Sequence, residues 1–372
     1  MKLNIAVLPG DGIGPEVTEQ AIKALNAIAL EFQHNIKFKY ADVGAIAIDK
    51  TGNPLPEDTL DLCESCDAVL FGAIGDPKYD NDPSAKIRPE QGLLQLRKSL
   101  GLYANIRPVK AYDKLVDKSP LKSEIISGTD ISIYRELTGG IYFGKKQISE
   151  DGNTASDLCE YSREEIERIA HLAFKAAQSR KNKVTLVDKA NVLESSRLWR
   201  KVVTELAKEY TDVELDFMFV DNAAMQLILN PNQFDVILTE NMFGDIISDE
   251  ASVIGGSIGL LASASVGEKH ALFEPIHGSY PQAKDKGIAN PLASILSAAM
   301  LLEHFELYEE ADLINRAVER SISLKITTPD LNPENDRVTT RLVGDFIEDF
   351  IQNPNDSNIN FKNIHLGQST II

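Results

Sequence analysis

Short apolar runs alternate along this chain with stretches in which apolar side chains recur every three or four residues. Those two periods separate buried strands from amphipathic helices. Leu3–Leu8 (LNIAVL) opens the chain as a strand. A proline at position 15 suits the first turn of a helix, and Val17, Ala21, Ile22 and Leu25 carry that helix to about Phe32. Ile36–Asp42, Ala68–Gly72 and Tyr103–Val109 read as further strands, with helices over Pro56–Ser65 and Gln91–Leu100 between them. Ser162–Ser179 places Ile166, Ile169, Ala170 and Ala173 on one helical face. Val184–Val187, Leu215–Val220 and Phe234–Thr239 follow as strands, and Pro291–Leu302 as an apolar core helix. Such alternation predicts an α/β fold with a largely parallel sheet. Lys145–Tyr161 breaks the pattern: it is polar, contains Gly152, and reads as an exposed excursion or hairpin arm. From about residue 353 the chain is Asn-rich and weakly periodic, an appended tail.

Composition narrows the class. At 372 residues the chain is too long for one small core, which predicts two lobes or domains. A hydrophobic content of 43% with 25% charged residues is that of an ordinary globular protein. The net charge of −18 argues against nucleic acid, which needs a basic face for its phosphates. Lys2–Leu8 is strand-like at once, so no signal peptide is expected. Residues 251–266 are too few and too rich in Gly and Ser to span a bilayer. Cys63, Cys66 and Cys159 fit reduced thiols; the Cys63/Cys66 pair lacks a second ligand pair for zinc and reads as helix positions i and i+3. The cytoplasm is the expected compartment.

Candidate chemistry gathers in Asn241–Ser252, which follows the Phe234–Thr239 strand. A break at Gly244 is expected to lead into a helical stretch carrying Asp245 and Asp249. Four residues apart on a helix, these carboxylates share one face and repel by roughly a few tenths of a kcal/mol. A hard divalent cation, Mg²⁺ or Mn²⁺, relieves that conflict; a solvated acidic face is the alternative. Strand ends are where α/β proteins place their sites. Three arginines stand apart as carboxylate forks: Arg97, Arg107 and Arg135, each of which has surface ion pairing as its plainer role. Leu93 and Leu94 precede Arg97 by four and three residues, setting aliphatic groups beside a guanidinium. Lys189 follows a strand, where desolvation would lower its pKa towards that of a base, or where it snorkels to solvent. Asp221 is a third carboxylate at a strand end. The Gly10–Gly14 loop is spaced G-x-G-x-G, not as the dinucleotide fingerprint, yet its glycines let a ligand approach the backbone.

Seven segments taken in order resemble the metal-dependent β-decarboxylating dehydrogenases, the isocitrate/isopropylmalate dehydrogenase family. They are LPGDGIGPEV, GLLQLRKSLGLYANIRPV, RELTGGIYFG, VDKANVLE, NMFGDIISDEAS, FEPIHGS and GIANPLASILSAAM, and the resemblance they carry runs from Ile5 to about Phe350. The resemblance implies an α/β fold that is not Rossmann, with two lobes sharing one continuous mixed sheet. Residues 1–103 and 256–372 would form the first lobe. Residues 104–255 would be inserted as the second, making the dimer contact through an arm at about 139–164. By the same resemblance Arg97, Arg107, Arg135, Leu93 and Leu94 bind substrate. Asp245 and Asp249 hold Mg²⁺ or Mn²⁺, with Asp221 as third ligand from the partner subunit of a homodimer. Lys189 takes the hydroxyl proton, Tyr142 protonates the enol carbon, and Asp221 completes the catalytic set. Ile13, Glu90, Asn191, Glu274, His277, Gly278, Ser279, Gln282 and Asn290 are implied at NAD.

The implied activity is NAD-dependent oxidative decarboxylation of (2R,3S)-3-isopropylmalate to 4-methyl-2-oxopentanoate, in leucine biosynthesis. D-Malate, tartrate, homoisocitrate and isocitrate are rival substrates; Leu93 and Leu94 speak against isocitrate, whose enzymes present a polar group there. A non-catalytic regulatory subunit and an acidic scaffold are the readings from other classes. The chain departs from NAD-using relatives at Tyr280-Pro281-Gln282, where they carry Ala-Pro-Asp. Gln282 offers a ribose hydroxyl a partner but repels no 2′-phosphate.

Overall fold

A computed structural model describes residues 1–80, 86–334 and 337–354, so the expected tail lies almost wholly outside the described residues. The strands are β1 (Lys2–Gly10), β2 (Asn35–Tyr40), β3 (Ala68–Ala73), β4 (Ala104–Lys110), β5 (Asp130–Glu136), β6 (Lys146–Ile148), β7 (Ala155–Asp157), β8 (Lys183–Asp188), β9 (Glu214–Phe219), β10 (Val236–Thr239), β11 (Ala262–Val266) and β12 (Ala271–Pro275). Ten of them form one sheet in the order β2-β1-β3-β12-β11-β4-β5-β10-β8-β9. Strands from residues before 104 and after 255 fill one half of it; strands from residues 104–255 fill the other.

The sheet is mixed, with most of its strand pairings parallel as expected. Its two ends are parallel, while β12–β11, β11–β4 and β4–β5 run antiparallel through the middle. The cause is local: β11 and β12 are joined by four residues, enough for a hairpin and far too few for a parallel crossover. β11 reads ASASV and is buried throughout. Small side chains hid this strand from hydrophobic patterning.

Side-chain alternation along the strands decides which face carries the site. Ile5, Val7, Leu70, Tyr134, Leu186 and Leu238 point into one continuous core, with the helices Gly14–Glu31, Leu292–His304 and Arg163–Gln178. Their neighbours Ala6, Leu8, Val69 and Phe71 point the other way, under the helix Pro89–Ser99. Ile131, Ile133, Val187 and Ile237 also do so, under the helix Asn241–Ser252. Because the period is two, Arg107 and Arg135 share the second face with those helices.

Element starts follow their expected chemistry. Ser162 caps the helix Arg163–Gln178 in a reciprocal box: its hydroxyl accepts from Glu165 N, and its own N–H donates to Glu165 Oε2 at 2.7 Å. The excursion after Tyr142 forms the hairpin β6–β7, exposed along both strands. Gly244 does not break the helix that follows β10. The helix begins at Asn241 and runs through it, and a methyl at Gly244 would lie 2.6 Å from Arg135 Cγ. The glycine is there to let an arginine lie across the first turn.

Candidate active site

Register brings two of the three arginines together. Asn105 pairs with Arg135 and Arg107 with Ile133 across β4 and β5, so the guanidiniums are diagonal neighbours on one face. Arg107 is steadied by Asn105 Oδ1 at 2.8 Å and reaches the neighbouring helix, donating to Ser248 Oγ at 2.6 Å and Asp249 Oδ1 at 2.9 Å. Arg135 is almost wholly buried. Its Nη1 donates to Asp245, while Nε and Nη2 donate to Asn241 Oδ1 at 3.1 and 2.8 Å. Burial pushes the Arg135 guanidinium down to about 10, offset by Asp245 and reinforced by the charges of Arg107 and Arg97; it stays charged at neutral pH. Tyr142 OH donates to Asp245 Oδ2 at 2.9 Å. Burial, with Asp245 beside it, raises the phenol above its ordinary range. Asp245 thus accepts from Arg135 and the phenol, with Arg107 Nη2 at 3.7 Å, and Asp249 stands largely exposed one turn on.

Arg97 Nη2 meets Glu274 Oε1 at 2.6 Å. The two leucines before it part company. Leu93 is 9% exposed and packs into the core with Leu55, Leu96 and Leu100, whereas Leu94 is 50% exposed on the same helix. Only Leu94 offers free aliphatic surface beside Arg97. Glu274, expected at the cofactor, is buried and engaged by that arginine.

The other expected cofactor residues, Asn191 excepted, gather in the half built from the two chain ends. Ile13 N donates to Ser279 O at 2.8 Å, and a methyl at Gly12 would lie 2.0 Å from the same oxygen, so the two loops meet backbone to backbone. Glu90 and Ser279 both flank Gly75. A methyl at Gly278 would meet nothing within 4 Å, and His277 Nε2 is buried with no hydrogen-bond partner. Burial lowers the His277 imidazole below its usual range. Asn290 Oδ1 accepts from Leu292 N at the start of the helix Leu292–His304, and its Nδ2 donates to Asp330 Oδ2, each at 3.0 Å. Gln282 is exposed.

Lys189 and Asp221 stand apart from this cluster. Lys189 Nζ meets Asp221 Oδ1 at 2.6 Å, which holds that carboxyl below its ordinary value. Asp221 opens the helix Val220–Leu229 beyond β9, at the sheet edge, with β8 between β9 and β10. Among the described residues no three His, Cys, Asp or Glu side chains are placed together to hold an ion. Asn191 is exposed near Lys189. Met225, Ile228 and Leu229 on the helix of Asp221, and Ile246 on the helix Asn241–Ser252, present exposed apolar groups.

Reading the sequence missed three residues. Asn241 grips Arg135; its spacing of four from Asp245 was the available signal. Asp11 is buried and accepts from the backbone of Ala45, Ile46 and Gly75, fixing the floor of the glycine loop. Ser248 supports Arg107.

Residues 4–347 match the family model described as isocitrate/isopropylmalate dehydrogenase. The chain belongs to that family. It is 54% identical over 353 residues to a 3-isopropylmalate dehydrogenase of Bacteroides fragilis, covering 95% of this chain and 99% of the relative. A Bacillus subtilis protein of the same name is 52% identical over 361 residues, with 95% and 99% covered. Among solved structures, an isocitrate dehydrogenase from Methylococcus capsulatus superposes with a TM-score of 0.84 at 35% identity, over 94% of this chain and 99% of its own. A β-decarboxylating dehydrogenase from Thermococcus kodakarensis gives 0.80 at 37%, over 96% and 98%.

Proposed function

We propose that the chain oxidises and decarboxylates 3-isopropylmalate with NAD, as a cytoplasmic homodimer in leucine biosynthesis. The observation that carries this is the convergence of Arg107, Arg135 and Tyr142 on the Asp245/Asp249 pair. Relatives named for that activity, at 52–54% identity over nearly the whole chain, support the substrate. No helix among the described residues is long and apolar enough to cross a membrane.

Arg97, Arg107 and Arg135 bind the two substrate carboxylates, and Leu94 takes up the isopropyl group. Asp245 and Asp249 offer the hard oxygen donors that suit Mg²⁺ or Mn²⁺, whose charge stabilises negative charge developing on the 2-oxygen. Asp221 of the other subunit supplies a third donor, which accounts for its separation here. Its neighbour Lys189 would accept the 2-hydroxyl proton, and NAD, when bound, would supply the hydride acceptor for C2. The carboxylate on C3 leaves as CO₂, and Tyr142 returns a proton to C3. The apolar groups of Met225, Ile228, Leu229 and Ile246, with the exposed hairpin, form the subunit contact. His277, with its unpartnered buried nitrogen, and the open backbone at Gly278 fit the adenosine half of NAD. The exposed, neutral Gln282 narrows the margin against NADP.

The test is NADH or NADPH production from 3-isopropylmalate, D-malate, tartrate and isocitrate, with Mn²⁺ and with excess EDTA. We expect 3-isopropylmalate with NAD and Mn²⁺ to give the highest kcat/KM, and Asp245→Asn to be nearly inactive though folded. Full activity in EDTA, or a better rate on D-malate, removes the proposal.

A further inference from the structure

Arg135 faces a choice of acceptors on one helix. Asn241 and Asp245 are four residues apart, so both project from the same face, and the guanidinium lies between an amide and a carboxylate. Asn241 is fully buried, and its oxygen takes the whole Nε–Nη2 edge of the fork. Only Nη1 is left for Asp245. The amide nitrogen of the same side chain donates to Gly139 O at 3.2 Å, at the base of the turn Gly140–Tyr142. The backbone N–H of Asn241 donates to Tyr161 OH at 2.9 Å. The Tyr161 side chain fills the space beside Gly139 and Gly140: methyl groups there would lie 2.8 Å from its ring and 2.2 Å from its phenol oxygen. One buried residue therefore ties together the arginine, the helix of the acid pair and the turn that presents Tyr142.

We propose that Asn241 is a positioning residue that keeps Arg135 from closing on Asp245 and holds the Tyr142 turn in register. This rests on the substrate and metal assignment above. A planar fork prefers a bidentate carboxylate. Without the amide, the freed edge of Arg135 turns onto Asp245 and competes with a cation for that carboxylate. An amide rather than an acid suits the position, because it holds the fork without cancelling the positive charge that a substrate carboxylate needs.

The experiment uses the purified full-length protein and two variants. Mn²⁺ affinity is read by electron paramagnetic resonance without substrate, and KM for 3-isopropylmalate and for NAD by steady-state rates. In Asn241→Ala we expect Mn²⁺ binding weakened about fivefold, KM for the hydroxy acid raised about tenfold, and KM for NAD unmoved, the scale of a lost hydrogen bond to a charged group. Asn241→Asp keeps an acceptor for Arg135 but neutralises it, so Mn²⁺ binding should hold while KM for the hydroxy acid rises about tenfold. A role in stability alone would lower Tm in both variants with Mn²⁺ affinity and KM unmoved, and that result overturns the inference. If Asn241→Ala does not fold, the Asp variant decides: raised KM with retained Mn²⁺ supports it, unchanged KM overturns it. A wild type that binds Mn²⁺ but does not turn over 3-isopropylmalate refutes the substrate; Mn²⁺ binding about fivefold weaker in Asn241→Ala then supports the role of Asn241, and equal binding overturns it. A wild type that binds no Mn²⁺ overturns both.

Discussion

Leu93 and Leu94 are chemically identical and adjacent, and the helix turns them to different tasks. Leu93 belongs to the core under the helix Pro89–Ser99, while half of Leu94 is open beside Arg97. Leu93→Ala should therefore cost about 2–5 kcal/mol of stability, read by denaturant unfolding, with little change in substrate preference. Leu94→Ser should leave stability within about 0.5 kcal/mol. It should also erode the kcat/KM preference for 3-isopropylmalate over D-malate by about tenfold, since an isopropyl group carries roughly 2 kcal/mol of burial. A preference that moves with Leu93 and not with Leu94 would reverse that assignment. Glu240 carries a different residue-scale consequence. It is 4% exposed, Oε2 has no partner, and burial, with Asp188 and Glu136 adding, pushes its carboxyl up to about 7. The folded state then binds a proton that the unfolded state has lost above the ordinary value of 4.5. This group's contribution is most favourable below pH 4.5 and is lost as pH rises through about 7. Glu240→Gln should help folding more at pH 8 than at pH 5, by roughly 1–3 kcal/mol. Equal unfolding free-energy differences at the two pH values would contradict it.

At the scale of elements, the helix Asn241–Ser252 is shaped as much by a strand side chain as by its own sequence. Helix propensity alone would favour alanine over glycine at position 244 by about 1 kcal/mol. The added methyl has no room, because Arg135 Cγ and Cβ and Thr239 Cγ2 surround it within 3.0 Å. Gly244→Ala should push the guanidinium out of its fork between Asn241 and Asp245. The expected outcome is a folded helix by circular dichroism with kcat/KM for 3-isopropylmalate lowered about tenfold or more. Unchanged kinetics would mean that Arg135 is free to shift without effect. A helix start was legible from a single residue at Pro15. The function of Gly244 was not, because its partner lies 109 positions away in the chain, on β5.

Across the whole molecule, the expected catalytic set divides. Asp245, Asp249, Arg107, Arg135 and Tyr142 meet within one chain, whereas Lys189 pairs with Asp221 at the far sheet edge. If each site is completed by a partner, mixing inactive Lys189→Ala with inactive Arg97→Ala subunits should restore activity. One of a heterodimer's two sites then has all its parts. Statistical exchange makes about half the dimers mixed, so roughly a quarter of wild-type activity is expected. Verified heterodimers without activity would place Lys189 and Arg97 in the same subunit's site.

Local pattern was enough to determine the alternation of strand and helix, the exposed arm and the acid pair on one helical face. Each of these depends on spacing within a few residues, where covalent geometry alone sets which side chains are neighbours. Tertiary structure decided the rest. Four-residue hairpin closure made the middle of the sheet antiparallel, and β4–β5 register brought Arg107 beside Arg135. Packing divided Leu93 from Leu94, and the fold delivered Asn241 to the fork of Arg135. Those contacts join residues far apart in the chain, and their energies depend on the shape of the space between elements, which no local pattern encodes.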